Sequence, residues 1–137
     1  MRVGMSGWAL WGLYAAFAVF ALYSNWHATT LDFSGDLGVY KLAIWLALAG
    51  FLAYSFWCTT VENFFKSSKT FLSLYWGRQV VADLYLGLLI SMLIIVVNDG
   101  VVTALIWLVP VLIYANLTML LYFALHFDEI VAKLMLL

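Results

Sequence analysis

The chain has 137 residues, of which 67% are hydrophobic and only 9% are charged, and its mean hydropathy is +1.06. Soluble domains carry about 25% charged residues, so this composition excludes an ordinary soluble domain and predicts an integral membrane protein. The net charge of −1 provides no basic surface for nucleic acid, and the single cysteine excludes an intrachain disulfide or a cysteine-rich metal site.

The hydrophobic segments predict four membrane-spanning helices, because each holds about the 20 apolar residues that a bilayer requires. In chain order they run from about Gly7 to Trp26, from Val39 to Cys58, from about Val80 (or Phe71) to Val97, and from Val101 to about Phe127. The fourth is longer, so we expect it to tilt, to kink at Pro110 or to protrude. The predicted fold class is all-α: one polytopic domain, residues 1–137, with four transmembrane helices in an up-down bundle.

Two connections between these segments carry structural signals. Asn98-Asp99-Gly100 predicts a tight turn, since Asp-Gly accepts a positive φ, and the third and fourth segments should therefore form an antiparallel hairpin. Between Thr59 and Gln79, phenylalanine and leucine recur at helical spacing around Lys66 and Lys69. This pattern predicts a short interfacial amphipathic helix between the second and third membrane helices.

The distribution of Lys and Arg predicts the orientation in the membrane, because basic residues are retained on the cytoplasmic side. Basic residues fall at the N-terminus, in the second connection and near the C-terminus: Arg2, Lys66, Lys69, Arg78 and Lys133. Only Lys41 falls on the other side, together with Asp32, Asp36 and Asp99. We therefore expect both termini to be cytoplasmic.

Asp83 is the candidate functional residue, because it stands inside an apolar run where a carboxylate costs at least ~2.5 kcal/mol. It lies about 12 Å into the third segment, and Asn116 lies about 13 Å from the inner end of the fourth, so we expect them to face each other. Gln79 lies one turn before Asp83 on the same face, and Tyr54 and Ser55 belong to the same half of the membrane. These residues could form a proton-handling or ligand-binding site with Asp83 as general acid. The alternative, which we favour, is a structural hydrogen bond between helices worth about 0.6 kcal/mol.

Arg78 and the two histidines need separate interpretations. Arg78 is five residues before Asp83 and points in a different direction, so we expect it to reach lipid phosphate or, as an alternative, to recognise a phosphate-bearing lipid substrate. His27 and His126 are predicted at opposite ends of the bundle, which argues against a shared haem or metal site. His126 near Asp128 and Glu129 could instead start a metal site, but no second histidine is nearby in the sequence, so we expect a solvated helix end. We therefore predict no cofactor and no metal.

Two stretches carry a resemblance to a known family. One is Tyr75 to Gly87, in which an aromatic-Gly-Arg segment leads into Asp83, and the other is Ala115 to Tyr122, in which Ala-Asn-Leu precedes Leu-Tyr. Over this C-terminal half the chain resembles a family of small bacterial membrane proteins of unknown function. The resemblance implies a four-helix fold in the bacterial inner (cytoplasmic) membrane. Some members look similar to integral-membrane terpene cyclases, which protonate a polyene with membrane-embedded acids.

Three functions are compatible with these features. The leading one is a non-catalytic bundle that binds membrane lipids or protein partners, as a homo-oligomer or an accessory subunit. The second is an integral-membrane enzyme acting on an isoprenoid or lipid, with Asp83 as acid and Arg78 steering the head group. The third is a small transporter, for which the sequence lacks inverted repeats and several intramembrane charges.

Overall fold

A computed structural model describes residues 5–28 and 30–136, and within these residues it contains six α-helices and no β-strand. The helices are α1 (Met5–Asn25), α2 (Gly38–Val61), α3 (Phe64–Ser73), α4 (Tyr75–Asp99), α5 (Val101–Tyr114) and α6 (Asn116–Met135). The all-α class is therefore confirmed. Helices α1, α2 and α4 correspond to the first three predicted segments.

The short helix predicted between the second and third segments is α3. It begins because Asn63 caps it: the Asn63 side chain accepts a hydrogen bond from the backbone N–H of Lys66 at 3.1 Å. It ends at Leu74, whose extended backbone separates α3 from α4. The predicted tight turn is also present, with Gly100 at φ 93° between α4 and α5.

The fourth predicted segment folds differently from the expectation. It is two antiparallel helices that reverse direction at Ala115, where φ is 52° and ψ is −121°. The hydroxyl of Thr118 in α6 donates to the carbonyl of Pro110 in α5 at 3.2 Å, and the rings of Trp107 and Tyr122 lie 5.0 Å apart. The expected single helix from Val101 to Phe127 is therefore wrong, and four transmembrane helices in an up-down bundle are not confirmed.

Tyrosine hydroxyls from two other helices bind the backbone near this reversal. Tyr14 of α1 donates to the carbonyl of Leu117 at 3.2 Å, and Tyr85 of α4 donates to the carbonyl of Leu112 at 2.7 Å. Leu112 lies in the last turn of α5, where carbonyls lack intrahelical partners, and Leu117 lies in the first turn of α6. The hydrogen bonds therefore fix the reversal against the rest of the bundle.

Because of the reversal, α6 runs back to the end of the bundle where α1 and α4 finish and α2 begins. Asp128 of α6 pairs with Lys41 of α2 at 2.8 Å, and Lys133 donates to the carbonyl of Asn98 at the end of α4. We call this the acidic end, since it holds five carboxylates and two lysines: Asp32, Asp36, Asp99, Asp128, Glu129, Lys41 and Lys133.

The opposite end contains the start of α1, the end of α2, α3 and the start of α4. There the indole of Trp11 donates to the hydroxyl of Thr59 at 2.8 Å. We call it the basic end, because Lys66, Lys69 and Arg78 belong to it. The last described residues thus lie opposite the start of α1, so the expectation that both termini share one side, and that Lys133 joins the other basic residues, is wrong.

The core is organised around α6. Eight residues of α6 are buried: Leu117, Thr118, Met119, Leu121, Tyr122, Ala124, Leu125 and His126. They pack against four other helices, α1, α2, α4 and α5. The ring of Trp107 lies between Phe17 of α1 and Tyr122 of α6, at 5.0 Å from each.

Two helices are long and apolar enough to cross a membrane. They are α2 and α4, with mean hydropathies of 1.7 and 2.6 over their most apolar stretches. Only 6% and 17% of those stretches is buried in the protein, whereas the core helix of a soluble protein would be mostly buried. This exposed apolar surface is typical of helices that contact lipid.

Candidate metal centre

A polar cluster lies at the acidic end, where the ends of α1 and α4 meet α6. Asp99 is the last residue of α4, and His126 and Glu129 stand one turn apart on α6. The side-chain ligand atoms of these three residues all lie within 4.8 Å of one another. We call Asp99, His126 and Glu129 the candidate metal centre.

The imidazole of His126 is held in a defined orientation. His126 is only 3% exposed, and its Nδ1 lies 3.1 Å from the carbonyl oxygen of Tyr122. A carbonyl can only accept a hydrogen bond, so Nδ1 carries the proton and the lone pair of a neutral ring is at Nε2. The same orientation is used by metal-binding histidines, which donate their other ring N–H to a nearby acceptor.

Oxygen atoms surround Nε2 of His126. The side-chain oxygen of Asn25 lies at 3.0 Å, and Oδ2 of Asp99 lies at 3.5 Å. The Asn25 amide is fixed with its oxygen toward the ring, because its nitrogen donates to the carbonyl of Ala21 at 2.9 Å. A lone pair facing two oxygens is unfavourable, so Nε2 requires either a proton or a metal ion in front of it.

The carboxylates are positioned by neighbouring polar groups. The buried hydroxyl of Tyr122 donates to Oδ2 of Asp99 at 2.6 Å, and the amide nitrogen of Asn98 donates to that hydroxyl at 2.9 Å. The same amide lies 3.3 Å from both Asp99 Oδ2 and Glu129 Oε2. Hydrogen bonds of this kind orient metal-binding carboxylates.

Asn98 also carries a buried polar atom that is not satisfied by any described residue. The residue is only 8% exposed, and its side-chain oxygen has no hydrogen-bond partner in the part of the chain that the structure describes. A buried unsatisfied acceptor costs about 1–3 kcal/mol. Because the amide nitrogen of Asn98 faces Tyr122, Asp99 and Glu129, this oxygen points away from the three ligands and does not itself indicate a cation among them.

His27 can complete the set of ligands. Its Nε2 lies 3.4 Å from Oε1 of Glu129, and its side chain is 57% exposed and free to turn. Two histidines and two carboxylates therefore meet at one end of the bundle. Nitrogen and oxygen ligands of this kind suit divalent transition metals such as Zn²⁺, Mn²⁺ or Fe²⁺.

Lys41 of α2 links α6 and the loop before α2 beside the centre. Lys41 is 2% exposed; its ammonium pairs with Asp128 and also donates to the carbonyl of Asp32 at 3.2 Å. Hydrogen bonds from the hydroxyl and backbone N–H of Ser34 keep the pKa of Asp32 below its ordinary value. These contacts hold the loop that contains Asp32 against the start of α2.

The sequence-based interpretation separated His27 from His126, and this separation is wrong. Each histidine contacts a carboxylate of the same cluster. The prediction failed because it placed α6 as a continuation of α5, which would carry His126 to the other end. The spacing of His126 and Glu129 at one helical turn was the part of the centre visible in the sequence, whereas Asp99 lies 27 residues earlier and joins them only through the reversal.

No hydrogen bond links the residues predicted to form a site around Asp83 in the part of the chain that the structure describes. Asp83, Asn116 and Gln79 are exposed. Arg78 instead donates from Nε to the carbonyl of Leu72 at 2.7 Å. A catalytic role for Asp83 stays a prediction.

Tyr54 and Ser55 also have other contacts. The ring of Tyr54 is exposed and lies 5.9 Å from the ring of Trp57. The carbonyl of Ser55 accepts a hydrogen bond from Thr59 at 3.0 Å, within α2. Their proposed part in ligand binding therefore stays a prediction from the sequence.

Comparison with protein-family models, curated proteins and solved structures finds no match to this chain. The resemblance to small bacterial membrane proteins thus stays a prediction.

Proposed function

We propose that this chain is an integral membrane protein that binds one divalent transition-metal ion at its acidic end, with Asp99, His126 and Glu129 as ligands. The observation that supports this most directly is the convergence of the three ligand atoms within 4.8 Å. Negative charge at that end and the oxygen atoms facing His126 also favour a cation there.

The membrane arrangement that we propose has three crossing helices and one re-entrant hairpin. Helices α1, α2 and α4, with 21 to 25 residues, are long enough for a hydrocarbon layer of about 30 Å. Helix α5, with 14 residues, spans only about 21 Å. The α5–α6 hairpin would enter from the acidic end and turn at Ala115, where the protein shields the irregular backbone from lipid.

The proposed orientation follows the basic residues. Lys66, Lys69 and Arg78 favour a cytoplasmic basic end of a bacterial inner-membrane protein. The acidic end and its metal centre would then face the opposite side. The start of α1 would be cytoplasmic and the end of α6 would not, which replaces the arrangement expected from the sequence.

The metal would link α4 to α6 and thereby hold the re-entrant hairpin in the bundle. This role fits the leading hypothesis of a non-catalytic bundle that binds lipids or protein partners, as a homo-oligomer or an accessory subunit. Three protein ligands also leave a coordination position for His27, water or a partner's side chain. The two alternative hypotheses, a lipid enzyme with Asp83 as acid and a small transporter, are supported by the sequence alone.

Metal titration of the chelator-treated protein in detergent tests the proposal. We expect one Co²⁺ per chain, detected by the visible absorption of the bound ion. His126→Ala should abolish that absorption, while Asp36→Asn should retain it, because Asp36 is an exposed carboxylate of the same end that lies outside the centre. Equal binding by both variants, or no binding by the unaltered protein, would contradict the proposal and leave Nε2 of His126 with a proton.

A further inference from the structure

We propose that α3, together with Arg78, is a docking surface for anionic phospholipid head groups at the basic end. We call these residues, 64–73 and Arg78, the basic platform. The platform lies at the opposite end from the candidate metal centre, so this inference is independent of metal binding.

The first observation is an apolar face that the protein leaves uncovered. None of the residues of α3 is buried. The apolar side chains are all 43–58% exposed and share one side of the helix: Phe64, Phe65, Phe71 and Leu72. A helix of ten residues is marginal in water by itself, so α3 requires a surface on which to lay this face.

The second observation is positive charge beside that face. At 100° per residue, Lys69 stands beside the apolar face and Lys66 lies across the helix from it. Both are exposed, and neither forms an ion pair with any residue that the structure describes. The bond from Arg78 to the carbonyl of Leu72 holds a third cation at the end of the helix. Phosphate groups of anionic lipids are the complementary charge for such a cluster.

The acidic residue nearest to α3 does not cancel this charge. Glu62 precedes the helix, and its Oε2 accepts a hydrogen bond from the hydroxyl of Ser67 at 2.8 Å. Three cations therefore stand against one carboxylate over the connection between α2 and α4 and the first turn of α4.

The side chains around the platform identify the surface as a bilayer rather than a folded partner. Trp57, Tyr75 and Trp76 at the adjoining ends of α2 and α4 are 57%, 86% and 78% exposed. Exposed Trp and Tyr beside basic residues are typical of the level of the lipid head groups. A helix with apolar and basic faces at this level lies in the plane of the interface.

The test measures how deeply α3 lies in nanodiscs of defined lipid. A fluorophore is attached at Ser68→Cys, in the middle of the apolar face, or at Thr70→Cys, on the polar side, each with Cys58→Ser. Quenching by aqueous iodide is compared in phosphatidylcholine alone and in an equal mixture with phosphatidylglycerol. We expect position 68 to be shielded in the mixture and position 70 to stay accessible.

Charge variants show whether the anionic lipid is responsible. Each Lys contributes about fivefold to the association constant for an anionic surface. The double substitution Lys66→Gln with Lys69→Gln should therefore lower the association constant of α3 for the lipid surface about 25-fold, which is seen as weaker shielding of position 68. Lys133→Gln, at the acidic end, should leave it unchanged. High salt should reproduce the effect of the double substitution.

Two results would overturn the inference. One is equal shielding of position 68 in phosphatidylcholine alone and in the mixture. The other is shielding that persists in detergent without phospholipid and rises with protein concentration, since a second copy of the chain would then cover the apolar face. Both results would leave the metal titration unaffected.

Discussion

At the residue scale, the metal centre depends on a small number of hydrogen bonds that fix its ligands. Tyr122 is fully buried, its ring is stacked on His126 with centroids 4.1 Å apart, and its hydroxyl donates to Asp99. Its backbone carbonyl also orients the imidazole. One residue thus positions two of the three ligands.

Removing the Tyr122 hydroxyl should therefore weaken metal binding without removing a ligand. We expect Tyr122→Phe to lower the affinity about 10–100-fold, the usual effect of losing a group that orients a ligand. Competition with a metal-sensitive dye measures this change. Tyr23→Phe is the matched control, because Tyr23 is 88% exposed. Unchanged affinity in Tyr122→Phe would show that Asp99 is not a ligand.

Asp83 and Asn116 provide a second prediction at this scale. Since both are exposed and not joined, Asp83→Asn and Asn116→Leu should not lower the thermal stability of the protein in detergent. A double-mutant cycle should give no coupling between them. A coupling near 0.6 kcal/mol, the typical value for a hydrogen bond between membrane helices, would restore the structural hydrogen bond expected from the sequence.

At the element scale, the reversal at Ala115 determines which residues meet. The helical class and the short α3 could be predicted because helical periodicity and capping are local properties of the sequence. The reversal could not, because Tyr-Ala-Asn contains no Gly or Pro and the apolar pattern continues through it. The candidate metal centre was missed for the same reason, since Asp99 meets His126 only when α6 turns back.

The positive φ of Ala115 leads to a prediction about stability. A non-glycine residue in this conformation is strained by about 1–3 kcal/mol, so Ala115→Gly should raise the melting temperature. Ala49→Gly, in the middle of α2, should instead lower stability by up to about 1 kcal/mol. Thermal denaturation followed by circular dichroism measures both. A fall in stability for Ala115→Gly would indicate a continuous helix from Val101 to Phe127.

At the scale of the whole molecule, the hairpin sets the topology that we propose. Single cysteines introduced in place of Asp36 and Ala132, with Cys58→Ser, should both react with an impermeant maleimide applied outside intact cells. A cysteine in place of Ser67 should react only after the membrane is opened. Labelling of position 132 together with position 67 would place the end of α6 on the side of α3 and contradict the hairpin.

The metal centre connects the single residues to the topology, because one ion would link Asp99 on α4 to His126 and Glu129 on α6. The most direct test is X-ray absorption of the Zn²⁺-loaded protein after gel filtration. We predict one retained ion per chain with nitrogen and oxygen ligands at about 2.0–2.2 Å, including an imidazole contribution that disappears in His126→Ala. Loss of zinc during gel filtration, or a shell of water oxygens without imidazole, would contradict the account.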